Sequence, residues 1–214
     1  MSTSPAKNNI LKKIRLALSE STPIPFPKSE GTDPVHQPLQ QDIVVEFAEQ
    51  FTQLQGKFVF CANEEELLYQ FATLSRQHQW NKIYCSDKRL QPLAEDQQIT
   101  DDISNCDAAL TACECLVART GSLVLSAKNS GRLPSVYAPV HLCVAYTSQL
   151  VYDISEALQF LQLKYKEAFP SFITLATGPS RTADIEKTLV VGVHGPKEVY
   201  VFLVDDMKMV PTTA

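Results

Sequence analysis

Apolar and polar positions follow helical spacing in some stretches of this chain and strand spacing in others. Apolar residues three and four apart predict helices with one buried face at residues 43–54, 67–74 and 154–165. Continuous apolar runs predict buried strands at residues 57–61, 82–85, 108–113, 121–127, 141–146, 172–176, 188–193 and 198–204. This alternation indicates the α/β class, with a mixed, mostly parallel sheet, helices on both faces and a terminal hairpin.

A short amphipathic segment precedes the α/β pattern. One helical stripe contains the apolar residues Ile10, Leu11, Ile14, Ala17 and Leu18. The stretch that follows, up to residue 38, is rich in proline and lacks apolar periodicity. We therefore predict a helical arm on a proline-rich tether over residues 1–40 and an α/β domain over residues 41–214. The apolar stripe needs a surface to cover it, either on the chain's own domain or on a partner subunit.

Composition and charge narrow the classes of partner. The chain has 214 residues, 44% of them hydrophobic, which is enough for one sizeable core. Its 19 basic and 24 acidic residues are mixed along the sequence, so no broad positive surface is expected and nucleic acid is not a predicted partner. No signal peptide and no run long enough to span a membrane is visible, so we expect a cytoplasmic protein.

The cysteines predict buried thiols. They are Cys61, Cys85, Cys106, Cys113, Cys115 and Cys143. None forms the C-x-x-C pairs of zinc ribbons or ferredoxin-type clusters, so we expect neither a metal nor another cofactor. An alternative exists for Cys113 and Cys115, because residues two apart on a strand share a face and can bind a metal or oxidise together.

A polar loop at residues 177–186 separates two apolar strands and resembles an anion site. Its candidate ligand contacts are Thr177, Gly178, Ser180, Arg181, Thr182 and Asp184. Free backbone N–H groups, hydroxyls and a guanidinium at the start of a short helix near residues 182–186 are suited to a carboxylate or phosphate. Alternatively, a hydroxyl only caps that helix and Arg181 pairs with a neighbouring acid in a solvated loop.

Two turns extend this candidate ligand site. Thr120, Gly121 and Ser122 form a turn between apolar strands, where they either bind an anion or make an ordinary hairpin turn. His194 and Gly195 form the second turn, in which the histidine is either a ligand or acid/base group or a plain surface residue.

Glu114 is the remaining candidate for chemistry. It lies at the end of an apolar strand and close in sequence to the Thr120 turn. A glutamate there can act as a nucleophile or base in acyl transfer, but a solvated residue at a strand end is the simpler interpretation.

These motifs together resemble a known family. The run T-G-P-S-R-T-A-D-I-E at residues 177–186, G-x-H-G-P at 192–196, R-T-G-S at 119–122 and P-V-H at 139–141 are similar to the LUD domain of the lactate-utilisation protein C family. The resemblance covers residues 41–205. It implies a fold similar to the NagB, ribose-5-phosphate isomerase and CoA-transferase group. It also implies a part in bacterial oxidation of L-lactate to pyruvate beside two partner proteins, at least one with iron–sulfur clusters.

The chain departs from the family at Arg119, where many members have glutamate. A cation facing the ligand would shift the preference towards anions. The favoured hypothesis is an accessory subunit of a lactate-oxidising complex that binds a small carboxylate or another anion and has no cofactor of its own. A stand-alone CoA-transferase-like or isomerase enzyme, acting on a small organic acid or sugar phosphate through Glu114 or His194, is one alternative. An interaction module without a ligand is the other.

Overall fold

The computed structural model describes residues 5–19, 38–128, 131–183, 189–192 and 194–207. The α-helices within these ranges are α1 (Pro5–Ser19), α2 (Ile43–Gln53), α3 (Glu64–His78), α4 (Pro134–Tyr137) and α5 (Ile154–Tyr165). The strands are β1 (Lys57–Cys61), β2 (Lys82–Tyr84), β3 (Gln98–Thr100), β4 (Ala108–Ala112), β5 (Cys115–Val117), β6 (Ser122–Ser126), β7 (Val140–Tyr146), β8 (Leu150–Val151), β9 (Ile173–Ala176), β10 (Arg181–Ala183), β11 (Leu189–Val191) and β12 (Glu198–Val204). The chain divides after Pro38 into two units.

The first unit contains α1, which includes the predicted amphipathic stripe. Apart from Pro38, the proline-rich stretch lies outside the described residues.

A six-stranded sheet forms the centre of the second unit, in the order β1-β12-β7-β4-β2-β3. All neighbouring pairs in it are parallel. Strands in the middle of such a sheet are buried on both faces, which explains the continuous apolar runs of β4, β7 and β12. The α/β class and the mostly parallel sheet are confirmed, while the relation to the NagB group stays a prediction.

A second sheet contains β6 and β9, which the sequence analysis assigns to a single sheet, together with β5 and β8, which it does not predict as strands. Its order is β8-β5-β6-β9, with β6 antiparallel to both β5 and β9. Leu116 and Leu123 on one face pack toward the central sheet, whereas Cys115 and Val124 on the other face pack against α5. Because both faces are buried, these strands have the same apolar pattern as central parallel strands, and the pattern alone cannot separate the two sheets.

Two predictions about residues 181–204 are wrong. Arg181–Ala183 form a strand that pairs antiparallel with β11, not the start of a helix. The rest of the predicted helix, residues 184–186, lies outside the described residues. β12 does not form a hairpin with β11, because its apolar residues are buried between β1 and β7, to which it runs parallel. Burial between two long parallel neighbours outweighs the proximity of the turn before it.

Helices lie on both faces of the central sheet, as predicted. On one face α3 packs its Leu67 and Phe71 onto the sheet, and Phe71 contacts Phe202. Asn63 caps this helix by accepting a 2.9 Å hydrogen bond from the Glu66 N–H. The opposite face is covered by the second sheet and by Phe47 and Phe51 of α2. The α5 helix covers the outer face of the second sheet.

All six cysteines are buried free thiols, which confirms the prediction of core thiols. Burial raises the pKa of Cys115 to about 12. In the part of the chain that the structure describes, no cluster of three or more potential metal ligands is present. None of the described helices is both long and apolar enough to cross a bilayer.

Candidate functional site

The best-formed candidate site is a cavity at the carboxyl ends of three parallel strands, β2, β4 and β7. From β2 the chain moves outward to β3, then returns to β4 and continues through β7 to β12 in the opposite direction. Such a reversal opens a crevice beyond the strand ends, where ligands of open α/β sheets bind. We call this space of about 270 Å³ the carboxyl-edge cavity. Its polar and sulfur-containing lining comes from Asp87, Arg89, Cys113, Tyr146, Gln149 and Lys164.

Arg89 and Asp87 form a forked ion pair in the loop after β2. The guanidinium donates from Nε to Oδ1 of Asp87 at 3.0 Å and from Nη2 to Oδ2 at 2.6 Å. These hydrogen bonds from Arg89 hold the pKa of the Asp87 carboxyl below its ordinary value, outweighing the effect of burial. The Arg89 side chain is 75% exposed and that of Asp87 only 12%. The Arg89 cation is therefore exposed to solvent, whereas the Asp87 carboxylate is largely covered.

Lys164, near the end of α5, forms a second ion pair with Glu114. Its Nζ lies 2.7 Å from Oε2 of Glu114, and the Tyr165 hydroxyl donates to Oε1 at 2.7 Å. Ser126 donates a further hydrogen bond to Oε1. Burial raises the pKa of the Glu114 carboxyl, but the hydrogen bonds from its three partners together outweigh burial and hold that pKa below its ordinary value.

The Glu114 pair has the same arrangement as the Arg89 pair. The Glu114 side chain is 0% exposed and that of Lys164 is 43% exposed. The cavity is thus lined by two exposed cations, whose counter-charges are the much less exposed Asp87 and the fully buried Glu114. The expectation that Glu114 is a solvated residue at a strand end is wrong, because its three hydrogen-bond partners satisfy it inside the protein.

Neutral groups complete the carboxyl-edge cavity. Gln149 accepts a 2.8 Å hydrogen bond from the Tyr146 N–H and donates one of 3.0 Å to the Cys113 carbonyl, so its amide fixes the ends of β4 and β7 together. A hydrogen bond with Cys143, together with burial, raises the pKa of the Cys113 thiol well above its ordinary value. The thiol is therefore protonated at neutral pH and is a poor nucleophile.

The predicted anion loop lies against the end of α2. Arg181 donates from Nη2 to the Leu54 carbonyl at 2.5 Å. Gly178 has φ +105°, and a Cβ there would lie 2.6 Å from the same carbonyl oxygen. Both residues thus meet the end of a helix where carbonyls lack partners, and a guanidinium satisfies one of them. A helix C-terminus has a partial negative charge, which opposes an anion.

The predicted Thr120 turn also packs on α2. Gly121 has φ +57°, and a Cβ there would lie 2.5 Å from the backbone nitrogen of Phe51. The hydroxyls of Thr120 and Ser122 lie 2.6 Å apart and bond each other. Arg119 pairs with Asp153 through a 2.5 Å contact from Nε to Oδ2. The cation that replaces the family's glutamate thus has a carboxylate partner of its own.

The structure does bring the 177–182 loop and the His194 turn together. The Ser180 N–H donates to the Pro196 carbonyl at 2.9 Å, and the Ser180 carbonyl accepts from Gly192 at 2.9 Å. The α-carbon of Gly195 packs against the Ser180 side chain. His194 and Thr177 are exposed. Asp184 lies outside the described residues, as does the side chain of Thr182.

The predicted ligand residues therefore form two groups, and neither lines the carboxyl-edge cavity. Their role as ligand contacts stays a prediction. Sequence reasoning missed Arg89 and Lys164, the two cations of the cavity. An available signal was Asp87-Lys88-Arg89, a charged run soon after a predicted strand and so at a strand end where ligands bind. Lys164 had no such signal, because it ends an ordinary amphipathic helix.

The chain is similar in sequence to a known domain family and to several known proteins. The sequence model of the LUD domain matches residues 73–204. An uncharacterized protein of Neisseria meningitidis serogroup B is 33% identical over 124 residues, which are 56% of this chain and 53% of that protein. Lactate utilization protein C of Macrococcus caseolyticus is 35% identical over 139 residues, which are 59% of this chain and 60% of that protein. The chain thus spans little more than half the length of these curated relatives.

A solved structure is similar in fold. The crystal structure of a DUF162 family protein from Deinococcus radiodurans superposes with a TM-score of 0.59 and 20% sequence identity. The match covers 78% of this chain and 99% of that one. At this identity the likeness supports the fold alone.

Proposed function

Because the chain belongs to the LUD domain family, as its motifs predict, we propose that it serves in lactate utilisation by binding a small carboxylate in the carboxyl-edge cavity. The name of relatives such as lactate utilization protein C supports the metabolic role. The chemistry of the cavity supports the carboxylate. The proposal differs from the sequence-based hypothesis in its site, which is formed by Arg89 and Lys164 and not by Arg181.

One observation carries the proposal: in both ion pairs of the cavity the cation is far more exposed than its carboxylate. The Arg89 side chain is 75% exposed, so a ligand carboxylate can reach its guanidinium while Nε and Nη2 stay bonded to Asp87. Lys164 also lines the cavity and supplies a second positive charge. A volume of about 270 Å³ accommodates a small organic acid rather than a large cofactor.

The hydrogen bonds of Glu114 favour binding over catalysis by this residue. Oε1 accepts from Ser126 and Tyr165, and Oε2 accepts from Lys164. A nucleophile must expose an oxygen to the substrate, and here either oxygen would first have to give up the hydrogen bonds that satisfy it inside the protein. We therefore favour an accessory, ligand-binding role over the alternative of a stand-alone acyl-transferring enzyme.

The binding proposal is tested by calorimetric titration of the full chain with L-lactate and with pyruvate. Arg89→Gln removes a charged hydrogen-bond donor and is expected to weaken binding by about 1.5–3 kcal/mol. Lys88→Gln is the matched control, because it removes the same charge from the neighbouring exposed position without lining the cavity. Equal affinities in wild type and Arg89→Gln would contradict the site.

The metabolic proposal is tested separately by growth on L-lactate as sole carbon source. A strain lacking this gene is expected to grow only when complemented with wild type or with Lys88→Gln, and to grow poorly with Arg89→Gln. Normal growth without the gene would overturn the role in lactate utilisation. Full rescue by Arg89→Gln would overturn the role of the cavity and leave the metabolic role standing.

We also propose that the protein acts beside iron–sulfur subunits of a lactate-oxidising complex. An amphipathic helix such as α1, with Ile10 and Ile14 on its apolar stripe, is a suitable element for helix-in-groove association. Ile14→Gln is expected to reduce co-purification of cluster-containing proteins from the source cells, whereas Lys13→Gln on the same helix retains them. Equal recovery with both variants would contradict a role of the stripe.

A further inference from the structure

A second cavity, of about 370 Å³, lies at the opposite edge of the central sheet. It adjoins Pro139 and Lys197, the residues directly before β7 and β12, and Tyr137 of α4. Because β7 and β12 are parallel, this amino-edge cavity is separated from the carboxyl-edge cavity by the length of both strands. His194, from the G-x-H-G-P motif, also lines it.

Backbone contacts fix the wall that contains Lys197. Gly192 has φ +78°, and a Cβ there would lie 2.2 Å from Cγ of Lys197, so the lysine stem lies directly on the glycine backbone. The Lys197 N–H donates to the Pro139 carbonyl at 2.8 Å. Glycine at 192 is therefore needed both for its backbone conformation and for the position of the lysine.

A second set of contacts fixes the turn with His194. A Cβ on Gly195 would lie 2.8 Å from Cβ of Ser180, and the Ser180 N–H bonds the Pro196 carbonyl at 2.9 Å. These contacts bring the 177–182 loop against the turn. The 177–182 loop thus supports the turn with His194 and Gly195, and both of these residues line the amino-edge cavity.

The lining groups combine positive charge with apolar surface. No carboxylate among the described residues forms an ion pair with Lys197, in contrast to both cations of the carboxyl-edge cavity. Tyr137 is 66% exposed, and Val136 and Pro139 line the cavity beside it. An ammonium and an imidazole beside an exposed aromatic ring suit an anion that has a flat apolar body.

We propose that the amino-edge cavity is a second binding site, specific for organic anions with an aromatic or other flat apolar part. The anionic group, a phosphate or a carboxylate, binds Lys197 and His194, and the flat part packs on Tyr137. This site is independent of the carboxylate proposed for the carboxyl-edge cavity.

The test is calorimetric titration of the full chain with phenyl phosphate, benzoate, inorganic phosphate and acetate. Ring burial is expected to make at least one aromatic anion bind about tenfold more tightly than its inorganic or aliphatic counterpart. The aromatic anion that binds more tightly identifies phosphate or carboxylate as the preferred group. Absence of saturable binding by either aromatic anion, or affinities equal to those of phosphate and acetate, would overturn the proposal.

Variants locate the binding. Lys197→Gln keeps the aliphatic stem on Gly192 and is expected to weaken the aromatic anion about tenfold or more, and His194→Gln to weaken it by a smaller factor. Arg89→Gln and Lys88→Gln are expected to leave this affinity unchanged. Unchanged affinity in Lys197→Gln would overturn the site. A loss confined to Arg89→Gln would place the anion in the other cavity and overturn this proposal while supporting the first.

Discussion

The Lys164 ammonium and the Glu114 carboxylate are joined by a 2.7 Å hydrogen bond across the boundary between solvent and core. The Glu114 side chain is fully buried and the Lys164 side chain is 43% exposed. A charge buried in this way is stabilised only while its partner remains. The pair therefore links the stability of the second sheet to the positive charge that the carboxyl-edge cavity presents.

Removal of the lysine is expected to cost more than neutralisation of the glutamate. Lys164→Met leaves a buried carboxylate with only two hydroxyl donors, and we expect a loss of about 2–4 kcal/mol in the free energy of unfolding. Glu114→Gln removes the buried charge itself and leaves Lys164 free to be solvated, so its loss is expected to be smaller. Urea unfolding at pH 7 measures both. If Glu114→Gln lost more free energy of unfolding than Lys164→Met, the buried carboxylate would not depend on the lysine for its stabilisation.

His141 is expected to make the protein sensitive to acid. The imidazole is fully buried on β7, with Nε2 2.8 Å from the Thr111 hydroxyl and Nδ1 without a partner among the described residues. Burial lowers the pKa of His141 to about 4. In the unfolded chain His141 is therefore protonated below about pH 6.5, whereas in the folded chain it is protonated only below about pH 4. The contribution of neutral His141 to the free energy of unfolding is fully present above pH 6.5 and is lost as the pH falls towards 4.

The loss over this range amounts to about 3 kcal/mol, because each pKa unit corresponds to about 1.4 kcal/mol. Urea unfolding measured at several pH values between 4 and 7 should show a steeper decline for wild type than for His141→Gln, which cannot titrate and can keep a hydrogen bond to Thr111. Parallel pH profiles for the two proteins would show that His141 takes up its proton equally in the folded and the unfolded state, and would contradict the lowered pKa.

The strand β12 shows what the sequence can predict, and the carboxyl-edge cavity shows what it cannot. After Glu198, residues 199–204 form an unbroken apolar run whose length and composition indicate a buried strand, and the structure has the predicted bounds, Glu198–Val204. Arg89 and Lys164 lie on different elements and line the same cavity only because β2 and β4 are neighbours and α5 covers the second sheet. Strand order is a property of the whole chain and has no local signature.

The glycine motifs illustrate a different limit. The sequence offers Gly121 and Gly178 as candidate ligand contacts, and in the structure the end of α2 approaches both glycines closely. A glycine in the sequence indicates that a Cβ is unfavourable at that position, but it does not indicate which group approaches the backbone there.

Gly121 and Gly131 form a matched pair for testing the packing of the Thr120 turn. Both have positive φ, +57° and +74°, so an alanine at either position costs about 1 kcal/mol in backbone strain. A Cβ at Gly121 would also lie 2.5 Å from the Phe51 backbone, whereas at Gly131 the nearest atom is 3.9 Å away. We expect Gly121→Ala to lose about 2–4 kcal/mol in the free energy of unfolding, because overpacking adds to strain, and Gly131→Ala to lose about 1 kcal/mol. Similar losses would mean that backbone strain alone requires the glycine.

Arg181 separates the structural role of the 177–182 loop from the predicted ligand role. Its Nη2 donates to the Leu54 carbonyl beyond α2, and the side chain is exposed to solvent. A hydrogen bond of this kind contributes about 1 kcal/mol or less. Arg181→Gln is therefore expected to lower the melting temperature slightly and to leave the affinity for L-lactate and pyruvate unchanged, since Arg181 does not line the carboxyl-edge cavity. Thermal denaturation and calorimetry on the same variant measure the two effects. If affinity falls while the melting temperature is unchanged, Arg181 contacts the ligand and the anion site belongs at the end of α2.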